Sequence, residues 1–359
     1  MMSGNRGEWS EIYTLLKIIA DKHLYAGDSD LNRIESIIFP IIKILRTESN
    51  GTYSFSYDND IVVITGNDDT YRIPVNTFYT NAVALFKSIK ETKSTPFSAP
   101  EIEEFIKSFN CVTLRAKSSV KSDIRIIIHD LRTGITPELG FSIKSQIGSS
   151  SSLFNAAKTT NFIYEIQGAK LSDEEIDEIN SINDGAKLKK RLKKIKELCG
   201  DLKFVGLENP TFANNLILID SCLPQILAEM LLDYYNNSTN KCIDLINNLT
   251  AANPLNYDFS GEHPFYTYKF KRLLTDIALG MMPAVVWTGH LDATGGYLIV
   301  KDDGEVLCYH IYNRNDFEDY LLKNTKFDTP SSTRHGFGTI YKQNDKLYFK
   351  LNLQIRFIK

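Results

Sequence analysis

Long hydrophobic runs are missing from this 359-residue chain. None approaches the roughly 18 consecutive apolar residues that a membrane-spanning helix needs, so nothing in it supports a membrane protein. The opening stretch MMSGNRGEWSEIY lacks a basic segment followed by an apolar one; no secretory signal is read there, and the cytoplasm is the expected location. Cysteine is sparse and scattered. Cys111, Cys199, Cys222, Cys242 and Cys308 are odd in number and never form a CxxC pair, which argues against a disulfide framework or a zinc site and for reduced, mostly buried thiols. A strong charge of either sign is also absent: the net charge of -3 does not announce a binder of polyanions, although a whole-chain sum hides local patches. Internal repeats and low-complexity tracts are lacking as well.

What is present is ordinary globular material, 43% hydrophobic and 24% charged, long enough to bury a sizeable core in two or three domains. WSEIYTLLKIIA, residues 9 to 20, repeats Ile12, Leu15, Leu16 and Ile19 at helical spacing. A second helix is expected over 34 to 45, then a hairpin in SFSYDNDIVVITGNDDTYRIP turned at Gly66 to Asp69. Helices follow at 77 to 90 and, after KSTPFSAP, at 100 to 108. The period then changes. VKSDIRIIIHD and ELGFSIKSQ read as strands, SSSLFNAAKT as a short helix beginning near Ser149, and NFIYEIQG as a third strand. Residues 171 to 186 hold six acids and no base, and 187 to 196 hold seven bases and no acid. The plain reading of this run is a solvated helical pair whose charges nearly cancel; the other is a phosphate-facing helix. Helical spacing returns at 213 to 235, 242 to 249 and 266 to 281. The last 65 residues switch to hairpins around Asp303–Gly304 and Asn344–Asp345, flanking a short helix at 314 to 323. The fold class expected is therefore mixed α/β, divided at about 1–170 (with an insertion at about 30–110), a mainly helical 171–285 and a β-rich 286–359.

One constellation carries chemistry. In the strand 138 to 146, alternation puts Leu139, Phe141 and Ile143 on one face and Glu138, Gly140, Ser142, Lys144 and Gln146 on the other. Asp130 ends the preceding strand, and a hairpin between the two strands is expected to bring its carboxylate close to Lys144. Carboxylate oxygens suit Mg²⁺, and a nearby ammonium can orient or deprotonate a water and stabilise charge on a phosphate. An Asp–Lys pair can equally be structural. Glu8 and Glu11 lie three residues apart on one face of the first helix. A glutamate there complements the helix dipole, which accounts for at least one of the pair; the other is free to complete a metal site.

Gly7 to Glu11 at the start of a helix, a strand ending in Asp130, a strand carrying Ser142-Ile143-Lys144, then a helix and another strand together resemble the PD-(D/E)xK nuclease core. More closely, GNRGEWSEIYTLLK, GFSIKSQIGS, NAAKTTNFIYEI, GGYLIVKDDGEVLCYHIYNR and KLNLQIRF resemble the HpaII-type family of type II restriction endonucleases, from Gly4 to Phe357. The resemblance implies a bacterial Mg²⁺-dependent endonuclease that cuts duplex DNA at a short palindrome, CCGG in the member that gives the family its name, and that is paired in the cell with a protective cytosine methyltransferase. A homodimer would suit the palindrome. On this sequence Asp130 would bind the metal, Lys144 would be the catalytic lysine, and Glu11, in preference to Glu8, the helix glutamate. The departure lies at Ser142, where the superfamily pattern has Asp or Glu. Candidates for the missing charge are Glu138, Glu165 and Glu11. Gln146 shares the face of Lys144 and could contact water or a phosphate, or merely close a sheet-edge hydrogen bond; His129 points to the opposite face from Asp130.

Sequence readout needs base contacts too. Guanine O6 and N7 are matched best by Arg or Lys. Arg314, Arg334, His335, Arg356, Lys269, Lys271 and Arg272 are the candidates, with the TRHGFG loop first because small residues allow close approach. The run 187 to 196, with Lys117, Lys121 and Arg125, suits phosphates, which position without specifying. Tyr341, Tyr348, Phe349 and Phe357 read as core. The presence of Ser142 leaves open a non-cleaving DNA-binding module of the same fold, and the Glu11–Asp130–Lys144 trio would serve a structure-specific repair nuclease equally.

Overall fold

The computed structural model describes residues 2–94, 96–115, 122–148, 150–237 and 239–359, so Lys117 and Lys121 lie outside the described residues. Helix α1 (Arg6–Asp21) begins at a capping box: the Asn5 side chain accepts from the Glu8 N–H while the Glu8 carboxylate accepts from the Asn5 N–H. Its apolar stripe, including Trp9, Ile12, Leu15, Leu16 and Ile19, is fully buried. Strands β1 (His23–Gly27), β2 (Arg33–Glu48), β3 (Gly51–Asp58), β4 (Ile61–Gly66) and β5 (Asp69–Pro74) follow, then α2 (Val75–Glu91), α3 (Pro100–Lys107), β6 (Ile124–Ile128) and β7 (Glu138–Ser145). The helix expected over 34 to 45 is thus the long strand β2. RIESIIFPII is dense in isoleucine, whose branched Cβ favours a pleated surface, and Pro40 would break a helix interior. The hairpin expected over 54 to 74 is a three-strand meander, because Asp58–Asn59–Asp60 makes a second turn.

The chain continues through β8 (Ser152–Phe154), a 3₁₀ turn at Lys158–Thr160 and β9 (Asn161–Gln167). Ser149, the expected start of a short helix, lies outside the described residues, and the rest of that stretch is a strand and a turn. The acidic and basic runs form α4 (Asp173–Ser181) and α5 (Lys187–Glu197), followed by β10 (Asp201–Leu207), a strand with no counterpart in the sequence reading. The single helix expected over 213 to 235 is two, α6 (Pro210–Ile219) and α7 (Leu223–Asn236), which meet at 107° where Asp220 and Pro224 interrupt the pattern. No single described helix is long and apolar enough to cross a membrane. Helices α8 (Cys242–Ala252) and α9 (Phe265–Leu279) lead to β11 (Gly296–Val300), β12 (Val306–His310), α10 (Arg314–Lys323), β13 (Thr325–Phe327), the single turn α11 (Ser332–His335), β14 (Ile340–Gln343), β15 (Lys346–Asn352) and β16 (Ile355–Phe357).

Among the described residues a nine-stranded mixed sheet runs β1-β12-β11-β7-β6-β2-β3-β4-β5, beside a four-stranded sheet β10-β9-β15-β14 and a three-stranded sheet β13-β16-β8. The region 286–359 does not stand apart. Strands β11 and β12 sit inside the large sheet, parallel to β7 and β1 respectively, while β14 and β15 extend the sheet of β9. Strands β2 to β5 (33–74), within the expected insertion, supply the other flank of the same large sheet, while β1 lies at the opposite edge beside β12 and also pairs with β2. Two cores result, one under α1, α2 and α3 and one among α4 to α10. On β11 and β12, Leu298, Val300, Val306 and Cys308 belong to the first core and Tyr297, Ile299, Leu307 and Tyr309 to the second, so alternate side chains tie both cores to one pair of strands.

Candidate active site

The hairpin β6–β7 decides which acid stands beside Lys144. Ile124 pairs with Phe141 and Ile127 with Glu138, so the turn at 131–137 lies beside Glu138 and the open end of the hairpin beside Lys144. Asp130 is next to the turn. Its N–H reaches the Ile135 carbonyl, whereas Glu138 and Lys144 are already six residues, roughly 20 Å, apart along β7. The expected approach of Asp130 to Lys144 does not occur. In an antiparallel hairpin the end of the first strand meets the start of the second, so the later part of β7 faces the start of β6.

Asp123 occupies that start. Its N–H donates to the Phe141 carbonyl (2.8 Å) and its carboxylate accepts from the Ile143 N–H at 2.7 Å, within the Ser142–Ile143–Lys144 segment. Continuing the register by one step puts Asp123 opposite Ser142, and Ser142 in turn pairs with Tyr297 on β11. Burial raises the Asp123 carboxyl above its ordinary value, partly offset by the Ile143 N–H and by the positive charges of Lys144, Arg46 and Arg115. The Lys144 ammonium lies 5.4 Å from the centroid of the Tyr297 ring. Burial, and secondarily the Asp123 charge, push the Tyr297 hydroxyl upward, which places Asp123, Lys144 and Tyr297 in one electrostatic neighbourhood.

Helix α1 brings Glu11 within reach of the Arg46 charge. The helix docks on β7 through Ser10 Oγ and Ser145 Oγ at 2.9 Å. Arg46, 1% exposed on β2, is the common neighbour: burial pulls its guanidinium down, but negative neighbours, Glu48 and Glu11 among them, hold it above its ordinary value. The same Arg46 charge acts on Asp123. Arg46 is fixed by Glu48 at 2.6 Å and by the carbonyls of Thr113 and Leu114. Glu8 is spent elsewhere, in the capping box and in an ion pair with Arg115 at 3.0 Å.

The other acids named from sequence are not gathered here. Asp130, 1% exposed, has its carboxyl held below the usual range: burial opposes this, but the Arg132 N–H, the Thr133 hydroxyl and the Arg132 guanidinium outweigh it. It caps its own turn. Glu138 pairs with Arg125 at 2.7 Å at the far end of β7, and Glu165 sits in the second sheet, paired with Lys346 at 3.1 Å. Gln146 does share a small pocket with Lys144, walled by Ile299, Tyr320, Phe357 and Lys359. His129 donates its backbone N–H to Pro40 beside Asp130 and is far from Lys144 along the hairpin. No group of three His, Cys, Asp or Glu side chains placed to hold a metal occurs among the described residues.

Of the residues named for base contacts, Arg334 is exposed on α11, whose first turn is capped by the Ser331 hydroxyl. Partial burial and Arg334 lower the neighbouring His335 imidazole. Lys269 pairs with Asp220 at 2.5 Å, Lys271 with Asp319, Arg272 with Asp276 at 4.0 Å, and Arg314 with Glu318 at 2.6 Å. These four would have to give up intramolecular partners to contact DNA. Arg356 bridges Asp328 and the Ser150 carbonyl, a structural post. In the basic helix, Lys190 and Lys194 pair with Asp184 and Glu178, and Arg191 is buried on the carbonyls of Asn180, Ile182 and Gly338. Two ion pairs and a buried arginine thus tie the basic helix to its acidic neighbour.

Residues 5–357 match the sequence profile of the family described as HpaII restriction endonuclease. The chain belongs to that family. It is 51% identical over 359 residues to the type II restriction enzyme HpaII of Haemophilus parainfluenzae, covering 99% of each chain. No solved structure matches significantly. As a type II restriction enzyme, the chain is a site-specific deoxyribonuclease.

Proposed function

We infer that Lys144, Asp123 and Glu11 form the catalytic centre of this site-specific deoxyribonuclease, in a PD-(D/E)xK-type core made by α1, β6, β7 and β11. The observation that carries the reading is the Asp123 carboxylate bonded to the Ile143 N–H inside the Ser142–Lys144 segment. The substrate is duplex DNA, the target a short palindrome, CCGG, and the cofactor Mg²⁺. A two-fold dimer fits a palindromic site, and a cytosine methyltransferase that modifies the same site protects the host.

Mg²⁺ is held by one or two carboxylates together with waters and substrate phosphate oxygens, so Asp123 with Glu11 would serve without a third acid at Ser142. When bound, Mg²⁺ neutralises phosphate charge and acidifies water for in-line attack. Lys144 supplies a fixed positive charge to the scissile phosphate and orients the attacking water. That water loses a proton to solvent as its oxygen bonds to phosphorus, and the bond from phosphorus to the 3′ oxygen breaks, that oxygen leaving with a proton from solvent. Arg46, too deep to touch DNA, holds the positions of Glu11 and Asp123 by charge. The exposed Arg334 is the foremost candidate for guanine readout.

The test is digestion of unmethylated DNA of known sequence with Mg²⁺ and with EDTA. Discrete Mg²⁺-dependent fragments ending at CCGG are expected, and fragments at another sequence would discard the target. Asp123→Ala and Lys144→Ala each abolish cutting but keep duplex binding in Ca²⁺; an Asp123→Ala variant that still cuts would remove Asp123 from the centre.

A further inference from the structure

We propose that Tyr297 is a positioning residue for catalysis, holding the Lys144 ammonium by the face of its ring. The proposal rests on the reading of Lys144 as catalytic. A lysine side chain carries four methylenes and about 2 kcal/mol of rotamer entropy, so an ammonium needed at one point must be held there. On β7 the held position is set from the neighbouring strand. Tyr297 pairs directly with Ser142, and its ring centroid lies 5.4 Å from Lys144 Nζ, inside the range at which a ring face attracts a cation.

The ring itself cannot move. Tyr297 is 3% exposed, its hydroxyl donates to the Ala278 carbonyl at 3.2 Å, and it packs edge-on to Phe317 with centroids 5.4 Å apart. Gly296, just before it, has φ of +103°, and a Cβ there would collide with the Tyr309 carbonyl oxygen, so the backbone entering β11 is fixed as well. Ile299, Tyr320 and Phe357 line a small pocket together with Lys144. Ser142 has a part too. Its short side chain stands between Asp123 and Tyr297, and a carboxylate in its place would crowd the ring and draw the ammonium away from it. The departure at Ser142 and the tyrosine beside it are one arrangement.

Single-turnover cleavage at saturating DNA, with duplex binding measured in Ca²⁺, tests this. Tyr297→Phe keeps the ring face and cuts within about twofold of the parent, whereas Tyr297→Leu cuts at least about tenfold more slowly with unchanged binding, tenfold being about 1.4 kcal/mol. Because Leu also alters packing, a polyfluorinated phenylalanine is placed at position 297. Its ring has nearly the same shape with the charge of its face reversed, and it is expected to fold as the Tyr297→Phe variant does and to cut as slowly as Tyr297→Leu. A fluorinated variant that cuts as fast as Tyr297→Phe, or a Tyr297→Leu variant that cuts at the parental rate, would overturn the role. Lys144→Ala runs alongside: if it still cuts, the assignment of Lys144 is what fails.

Discussion

Asp130 and Asp123 are seven residues apart on one segment, yet they do different work. Asp130 accepts from the Arg132 N–H at 2.9 Å and the Thr133 hydroxyl at 2.9 Å, so it organises the turn. Asp130→Ala is expected to cost about 1–2 kcal/mol of stability and to leave cutting intact, read by thermal melting and plasmid digestion. Loss of cutting in a variant that melts normally would return Asp130 to the centre. His310 stands beside this turn. Fully buried, its imidazole is pushed down to about 4 by desolvation, against the Asp130 charge, and its Nδ1 accepts from the Tyr312 N–H at 3.0 Å. Unfolded, it would take a proton near pH 6.5. Between about 6.5 and about 4 the unfolded chain therefore binds more protons, so this contribution is present in full above pH 6.5 and is lost as pH falls towards 4. Denaturant titrations should show the parent losing about 2 kcal/mol more than His310→Asn between pH 7.5 and pH 5, the asparagine keeping an acceptor for Tyr312. Equal losses would show that another group governs the slope.

At the scale of elements, α1 is pinned at its first turn and carries Glu11 one turn later, so its cap bears on the centre. Asn5→Ala removes half of the capping box and should lower stability by about 1 kcal/mol in chemical denaturation. An unchanged midpoint would mean that docking on β7 alone fixes the helix end. This helix was legible in the sequence because its stripe is regular. So were the hairpins at Asp303–Gly304 and Asn344–Asp345, whose turn residues adopt positive φ at Gly304, Asn344 and Asp345. Strand β2 was not, because a run of isoleucines fits a helix and a buried strand equally well until Pro40 is weighed. For the proposed site, Ser142 and Lys144 were read together on one strand face, and Asp123, which the β6–β7 register sets beside them, was passed over for the acid at the other end of β6. The signal was available. A hairpin turned between 131 and 137 must set Lys144 against the start of the first strand, not its end. Tyr297 could not have been found this way, since nothing in the sequence says that β11 lies beside β7.

Across the whole molecule, the alternation on β11 and β12 joins the two cores through shared strands. Neither core can be exposed without stripping one face of the pair, so calorimetry should give one cooperative transition. Two resolved transitions would show that the cores separate before these strands do. The same placement has a consequence for how the chain is made. Lys144 is walled by residues far along the sequence, Tyr297, Tyr320 and Phe357, so while the polypeptide is emerging from the ribosome its lysine has neither its ring nor its shelter. If Lys144 is catalytic as proposed, a nascent chain stalled or released before residue 357 lacks part of the pocket around it, and synthesis itself delays the moment at which host DNA meets a finished centre.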